Sequence, residues 1–218
     1  MYPQTNPEKA ALYFKAVDEI RARLRCVDDL LTGNMAPLLI HEFCQLQLRL
    51  AAECLAIACL AAQGDFETHK AFRDRYEPGA IFRALEALYP AFFPTPSIMQ
   101  RVGEGRWHFD GDGHGNTITR ADIEEIWNLS GAHLHRGSAK RYLTDAQDID
   151  LLAVARLKER FWNLLMDHLI VLADQQSRFH VHVERNTDDI QCHFLFLDRE
   201  AGTARVEPYN AIVGERAI

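Results

Sequence analysis

Asp145-Ala-Gln-Asp-Ile-Asp-Leu-Leu-Ala-Val-Ala-Arg-Leu-Lys-Glu-Arg-Phe-Trp-Asn-Leu-Leu-Met-Asp-His-Leu-Ile-Val-Leu-Ala-Asp-Gln-Gln176 is the longest periodic segment of the chain. Leu151, Val154, Leu157, Phe161, Leu165, Leu169 and Leu172 recur at steps of three or four, which gives a helix one continuous apolar face. Taken as a single helix, the segment predicts a mainly α fold. That fold is a helical bundle with a small internal hairpin and a C-terminal antiparallel β-hairpin.

Leu38–Gln63 supplies the bundle's centre. It is nearly all apolar and long enough to span a bilayer, but Glu42, Arg49 and Glu53 are costly at that depth in lipid. It is read as the most buried helix of a soluble protein, packed by Asp145–Gln176 and capped by Gly64. An amphipathic helix over 7–31 starts at Pro7, and Thr32–Pro37 ends it. Shorter helices are expected at about Glu67–Arg75 and Pro78–Tyr89. Thr119 and Asp122 read as the N-cap and acid of a capping box that opens a helix running to about His135 or Arg136.

Two stretches are not helical. Over 98–118, glycines separate the β-like pieces Arg106–Phe109 and Asn116–Ile118, which predicts a small hairpin insert. Toward the C-terminus, Phe179, Val181 and Val183 alternate with polar residues, as do Ile190, Cys192 and Phe194, and Asn186–Asp189 is the turn between them. A hairpin follows, with a third strand near Thr203–Glu207. The chain divides into a helical domain over 1–177 and a β-hairpin appendage over 178–218.

The chain has 218 residues, 48% of them hydrophobic, enough for a sizeable core. Its net charge of −7 argues against a surface basic throughout, so any nucleic-acid contact must be a local patch. The five cysteines include no Cys-x-x-Cys and read as reduced thiols in a cytoplasmic protein. The N-terminus lacks the pattern of a signal peptide.

Two groups of residues carry potential chemistry. On the Leu38–Gln63 helix, Glu42, Arg49 and Glu53 fall within about 40° of one another, with Gln45 at the edge. They form either a narrow solvent-facing stripe or a polar network facing another helix. The second group is Trp127-Asn-Leu-Ser-Gly-Ala-His-Leu-His-Arg-Gly-Ser138. It holds Asn128, Ser130, His133, His135 and Arg136 near a helix end, with Lys140 and Arg141 just beyond. A phosphate or RNA backbone suits such a basic cluster, and His133 or His135 is the candidate acid or base. Capping by His and Arg beside a solvated basic loop is the plainer reading.

Ile126–Ser138, with a polar residue shortly before a histidine and Gly near a helix end, resembles the HEPN superfamily. Many members are ribonucleases of toxin–antitoxin or phage-defence systems, and they often pair an Arg with a His four to six positions apart on a late helix. Here that arginine position holds Asn128 or Ser130, and Arg136 follows the histidines. Arg101 and His108 have a compatible spacing but sit in Gly-rich sequence. The resemblance therefore implies the helical layout more than it implies cleavage.

Asp110–Asp122 echoes an EF-hand loop, but its fifth position is His114, its twelfth is Ala121, and the segment before it reads as strand. It is read as a Gly/Asp turn. Pairing Arg185 with Ile190 sets His182 opposite His193 and puts His180 on the same face. Zinc is conceivable there, yet no fourth ligand is evident apart from Glu184. The face reads as satisfied or solvated histidines, and no metal or cofactor is assigned. The expected function is a binding or regulatory protein, RNA-associated or protein-associated, without membrane contact and compatible with a homo-oligomer. The alternative is a ribonuclease or metal-assisted hydrolase using His133 or His135.

Overall fold

Pro7–Thr32 (α1) and Pro37–Gln63 (α2) lie against each other along their lengths. A computed structural model describes residues 7–64, 77–104, 106–134, 149–198 and 203–209. On α1, Tyr13, Val17, Ile20, Leu24 and Val27 recur at helical steps and are buried. On α2, small buried residues, among them Ala51, Ala52, Ala58 and Ala61, leave room for close packing by its neighbours. Gly64 ends α2 at φ 73°, a left-handed conformation suited to glycine.

The remaining elements are Pro78–Leu88 (α3), Thr95–Pro96 (β1), Ile98–Gly103 (β2), Arg106–Asp110 (β3) and Arg120–Leu134 (α4). After them come Leu151–Met166 (α5), Asp167–Val171 (β4), Ser177–Val183 (β5), Ile190–Asp198 (β6) and Thr203–Pro208 (β7). All strand pairs are antiparallel. One sheet has the order β1-β4-β5-β6-β7, and β2 with β3 forms a separate two-stranded ribbon.

The fold is therefore α+β, which corrects the mainly α expectation and its all-helical bundle. The decisive point is Asp167. The expected helix over Asp145–Gln176 stops at Met166, and the chain continues directly as β4. The β-branched pair Ile170-Val171 suits a strand, and β4 hydrogen-bonds to β5 from Asp167↔His182 to Val171↔Arg178. Leu169 and Leu172 continue the helical spacing by coincidence, because a five-residue apolar run satisfies both periods. Asp150 caps α5, accepting from the Ala153 amide; residues 145–148 of the expected helix lie outside the described part.

Other expectations change in detail. The chief neighbours of α2 are α1 and α4, with α5 touching it less. The ribbon strand Arg106–Asp110 pairs upstream with Ile98–Gly103 and not with Asn116–Ile118. The carbonyls of Asn116 and Thr117 accept instead from Asn163 and Arg160 of α5, which holds this segment against the helix. The C-terminal strands are continuous with β4 across residue 177, so they extend a sheet that begins in the helical half. Their register sets Val183 opposite Ile190 and His180 opposite His193. This is two residues from the expected pairing, and a shift of two preserves which side chains share a face. The expected helix at Glu67–Arg75 lies outside the described residues.

The helices cover one face of the sheet. Phe179 of β5 stacks on Tyr13 at 6.1 Å and lies 5.6 Å from Phe14. Arg21 and Arg25 of α1 hold the β5–β6 turn through the carbonyls of Arg185 and Thr187 and the carboxylate of Asp188. The other face carries Asp167, His180, His182 and His193, and the ribbon lies over it.

Candidate functional site

The capping box forms as expected. Asp122 accepts from the Thr119 amide at 2.7 Å, and the Thr119 hydroxyl accepts from the Asp122 amide. Arg160 of α5 binds Asp122 through both terminal nitrogens, which fixes the start of α4. One of the two candidate clusters lies between this helix and α2.

There Arg49 is engaged on three sides. Its Nε donates to Glu53 Oε1 at 3.2 Å, a terminal nitrogen reaches the Trp127 carbonyl at 3.5 Å, and the guanidinium lies 4.4 Å from the Trp127 ring centroid. The Trp127 indole donates to the same Glu53 oxygen at 3.0 Å. The Ser130 hydroxyl is 3.0 Å from Gln45 Oε1 and donates to the Ile126 carbonyl at 2.6 Å. A Cβ on Gly131 would stand 3.0 Å from an Arg49 nitrogen, so glycine lets the guanidinium close on α4. The polar stripe thus faces another helix, half-buried, with 20% of each of the Arg49 and Glu53 side chains exposed. Glu42 is also half-buried, about two turns earlier on α2. Asn128 is exposed on α4, away from this seam. His133 falls in the last turn of α4 and nothing is described of its side chain; His135, Arg136, Lys140 and Arg141 lie outside the described residues.

The second cluster centres on Asp167, which is 5% exposed. His114 Nε2 donates to its Oδ2 at 2.6 Å, and His182 Nδ1 donates to its Oδ1 at 2.9 Å. His182 Nε2 in turn donates to Glu184 at 3.1 Å. Burial disfavours the Asp167 carboxylate, but the bonds from His182 and His114 outweigh it and hold the group below the usual carboxylate range. The Asp167 bond, helped by Glu184, pushes His182 up to about 9, so it is a cation at neutral pH. Gly113 (φ 57°) brings His114 into place, packed so closely on Pro96 that a Cβ would lie 2.6 Å from the proline Cβ. Behind the sheet, Tyr13 donates to His168 Nε2 at 2.5 Å and His168 Nδ1 donates to the Leu165 carbonyl. Burial drives His168 down to about 4 and raises the Tyr13 hydroxyl. This pair lines a cavity with room for about one water, walled by Val17, Leu55, Phe161 and Leu164.

Chemically, a histidine held at one nitrogen by a buried carboxylate is oriented for proton transfer. His114, a third exposed, is so held, whereas both nitrogens of His182 are committed. Reading the sequence alone identified the histidine face but not Asp167, which the helical assignment hid. It also flagged His114 only as an odd EF-hand residue. Among the described residues no group of three or more His, Cys, Asp or Glu is arranged to hold a metal ion. Asp110 accepts from the Asp112 amide as a turn residue does. All five cysteines are free, and burial pushes Cys44 and Cys54 up to about 11. The described helix α2 is long and apolar enough to cross a membrane, and much of it is buried against its neighbours. Comparison with family models, curated proteins and solved structures finds no match.

Proposed function

We propose that this chain is an RNA-associated binding or regulatory protein with HEPN-like character in its α2–α4 pair. The observation that carries this reading is the three-sided engagement of Arg49 by Glu53 and Trp127. A guanidinium used up in this way is a clamp and not a catalytic group. It holds α4 firmly on α2, and the basic run Arg136, Lys140 and Arg141 follows α4 directly in sequence. A helix anchored on its neighbour and followed in sequence by three cations suits contact with a phosphate backbone. The buried Ser130 hydroxyl is likewise occupied by Ile126 and Gln45, which favours binding over chemistry at this helix.

The test is fluorescence anisotropy with a labelled single-stranded RNA. Binding should weaken as salt rises, and the triple variant R136Q/K140Q/R141Q should flatten the salt slope by about 2, since each phosphate contact contributes about 0.7 on single strands. RNA that stays intact on a gel supports the binding reading. RNA that is cleaved by the wild type and spared by His133→Ala or His135→Ala replaces it with the ribonuclease alternative. No binding at low salt removes the nucleic-acid reading and leaves a protein-interaction domain.

A further inference from the structure

The ribbon β2–β3 touches the outer face of the sheet through groups that tolerate only one protonation state. His180, 2% exposed, donates from Nε2 to the Ser97 carbonyl at 2.6 Å. A carbonyl only accepts, so Nε2 carries the hydrogen and Nδ1 is a bare lone pair. That Nδ1 is buried with no hydrogen-bond partner among the described residues, and so is Nδ1 of His193 directly opposite. The ribbon's aromatic rings lie beside them, Phe109 at 6.3 Å from His180 and Trp107 at 5.6 Å from His193. A second proton on either ring would bury a cation beneath the ribbon, and at His180 it would sit on the unsatisfied Nδ1. Lifting the ribbon would let water satisfy both.

We propose that the β2–β3 ribbon is an acid-released flap, docked on the sheet while His180 and His193 are neutral and freed when they gain a second proton. The titratable and charged groups around His180 are Asp167 from β4, His193 from β6, His182 on its own strand, His114 from the loop after β3, and His168 from the reverse face. Asp167 Oδ1 stands 3.9 Å from His180 Nε2, but both its oxygens already accept from His182 and His114. Burial holds both His180 and His193 below the ordinary histidine range. A depressed folded value gives docking that is fully present above the ordinary value and lost as pH falls through the depressed one. His182 works in the opposite sense. Its raised value of about 9 supports the cluster at neutral pH and withdraws that support in base. Release in acid therefore belongs to His180 and His193.

Hydrogen exchange of the full-length protein, read by mass spectrometry and corrected for intrinsic rates, tests this. Between pH 7 and pH 5, protection of 98–110 should fall tenfold or more while a peptide from α2 keeps its protection, since one proton changes the equilibrium about tenfold per pH unit. His180→Phe should abolish most of the fall, and His193→Phe should lessen it. If His180→Phe does not fold, His193→Phe decides, because an unchanged pH slope overturns the proposal. A ribbon that stays protected at pH 5, or that loses protection together with α2, also overturns it.

Discussion

The seam between α2 and α4 and the seam between ribbon and sheet both trap polar groups, and they handle charge in opposite ways. Between the helices, Glu53 and Trp127 close around the Arg49 guanidinium. Under the ribbon, four histidines and one aspartate divide the charge among themselves. His182 is cationic, His180 and His193 are held neutral, and His114 leans on Asp167. The first arrangement makes a rigid joint. The second makes a joint whose strength depends on pH. The difference follows from residue type, since guanidinium has no neutral form to retreat to whereas imidazole does.

The two seams differ most at Asp167. Asp167→Ala leaves His182 and His114 without their shared acceptor in a site only 5% exposed at the aspartate, and should destabilise the protein by about 3 kcal/mol in urea unfolding. A cost below about 1 kcal/mol would mean that the histidines find water instead. Gly113→Ala should cost about 2 kcal/mol, from the left-handed backbone and the approach to Pro96. That loss should appear chiefly as lost protection around His114. Arg49→Ala should cost about 1.5 kcal/mol, combining a half-exposed ion pair with a cation–π contact. Its effect should be nearly the same at pH 5.5 and pH 8, unlike that of Asp167→Ala, and a strong pH dependence would erase the contrast between the seams.

Much of the α2–α4 seam was legible in the sequence. Polar residues are so few on α2 that Glu42, Arg49 and Glu53 stand out, and the Thr119–Asp122 capping box announces where α4 begins. What the sequence did not show was the part played by Trp127, whose ring and carbonyl both serve Arg49. The ribbon–sheet seam was legible only as three histidines on one face. Its hub lay hidden because Asp167 follows α5 without a glycine or proline to mark the break, and Leu169 and Leu172 mimic the helical repeat. His114 pairs with a residue 53 positions later, a contact that no local pattern encodes.

The measurement closest to the centre of this account is the titration of the His182 ring in the full-length protein, followed by NMR at Cε1. Held by Asp167 and Glu184, His182 should titrate at about 9 and fall toward the ordinary histidine value in Asp167→Asn. The stability it contributes should be fully present below the ordinary value and lost as pH rises through about 9. A wild-type His182 that titrates near 6.5 would contradict the account, because Asp167 would then not be the strand residue that joins ribbon, loop and sheet.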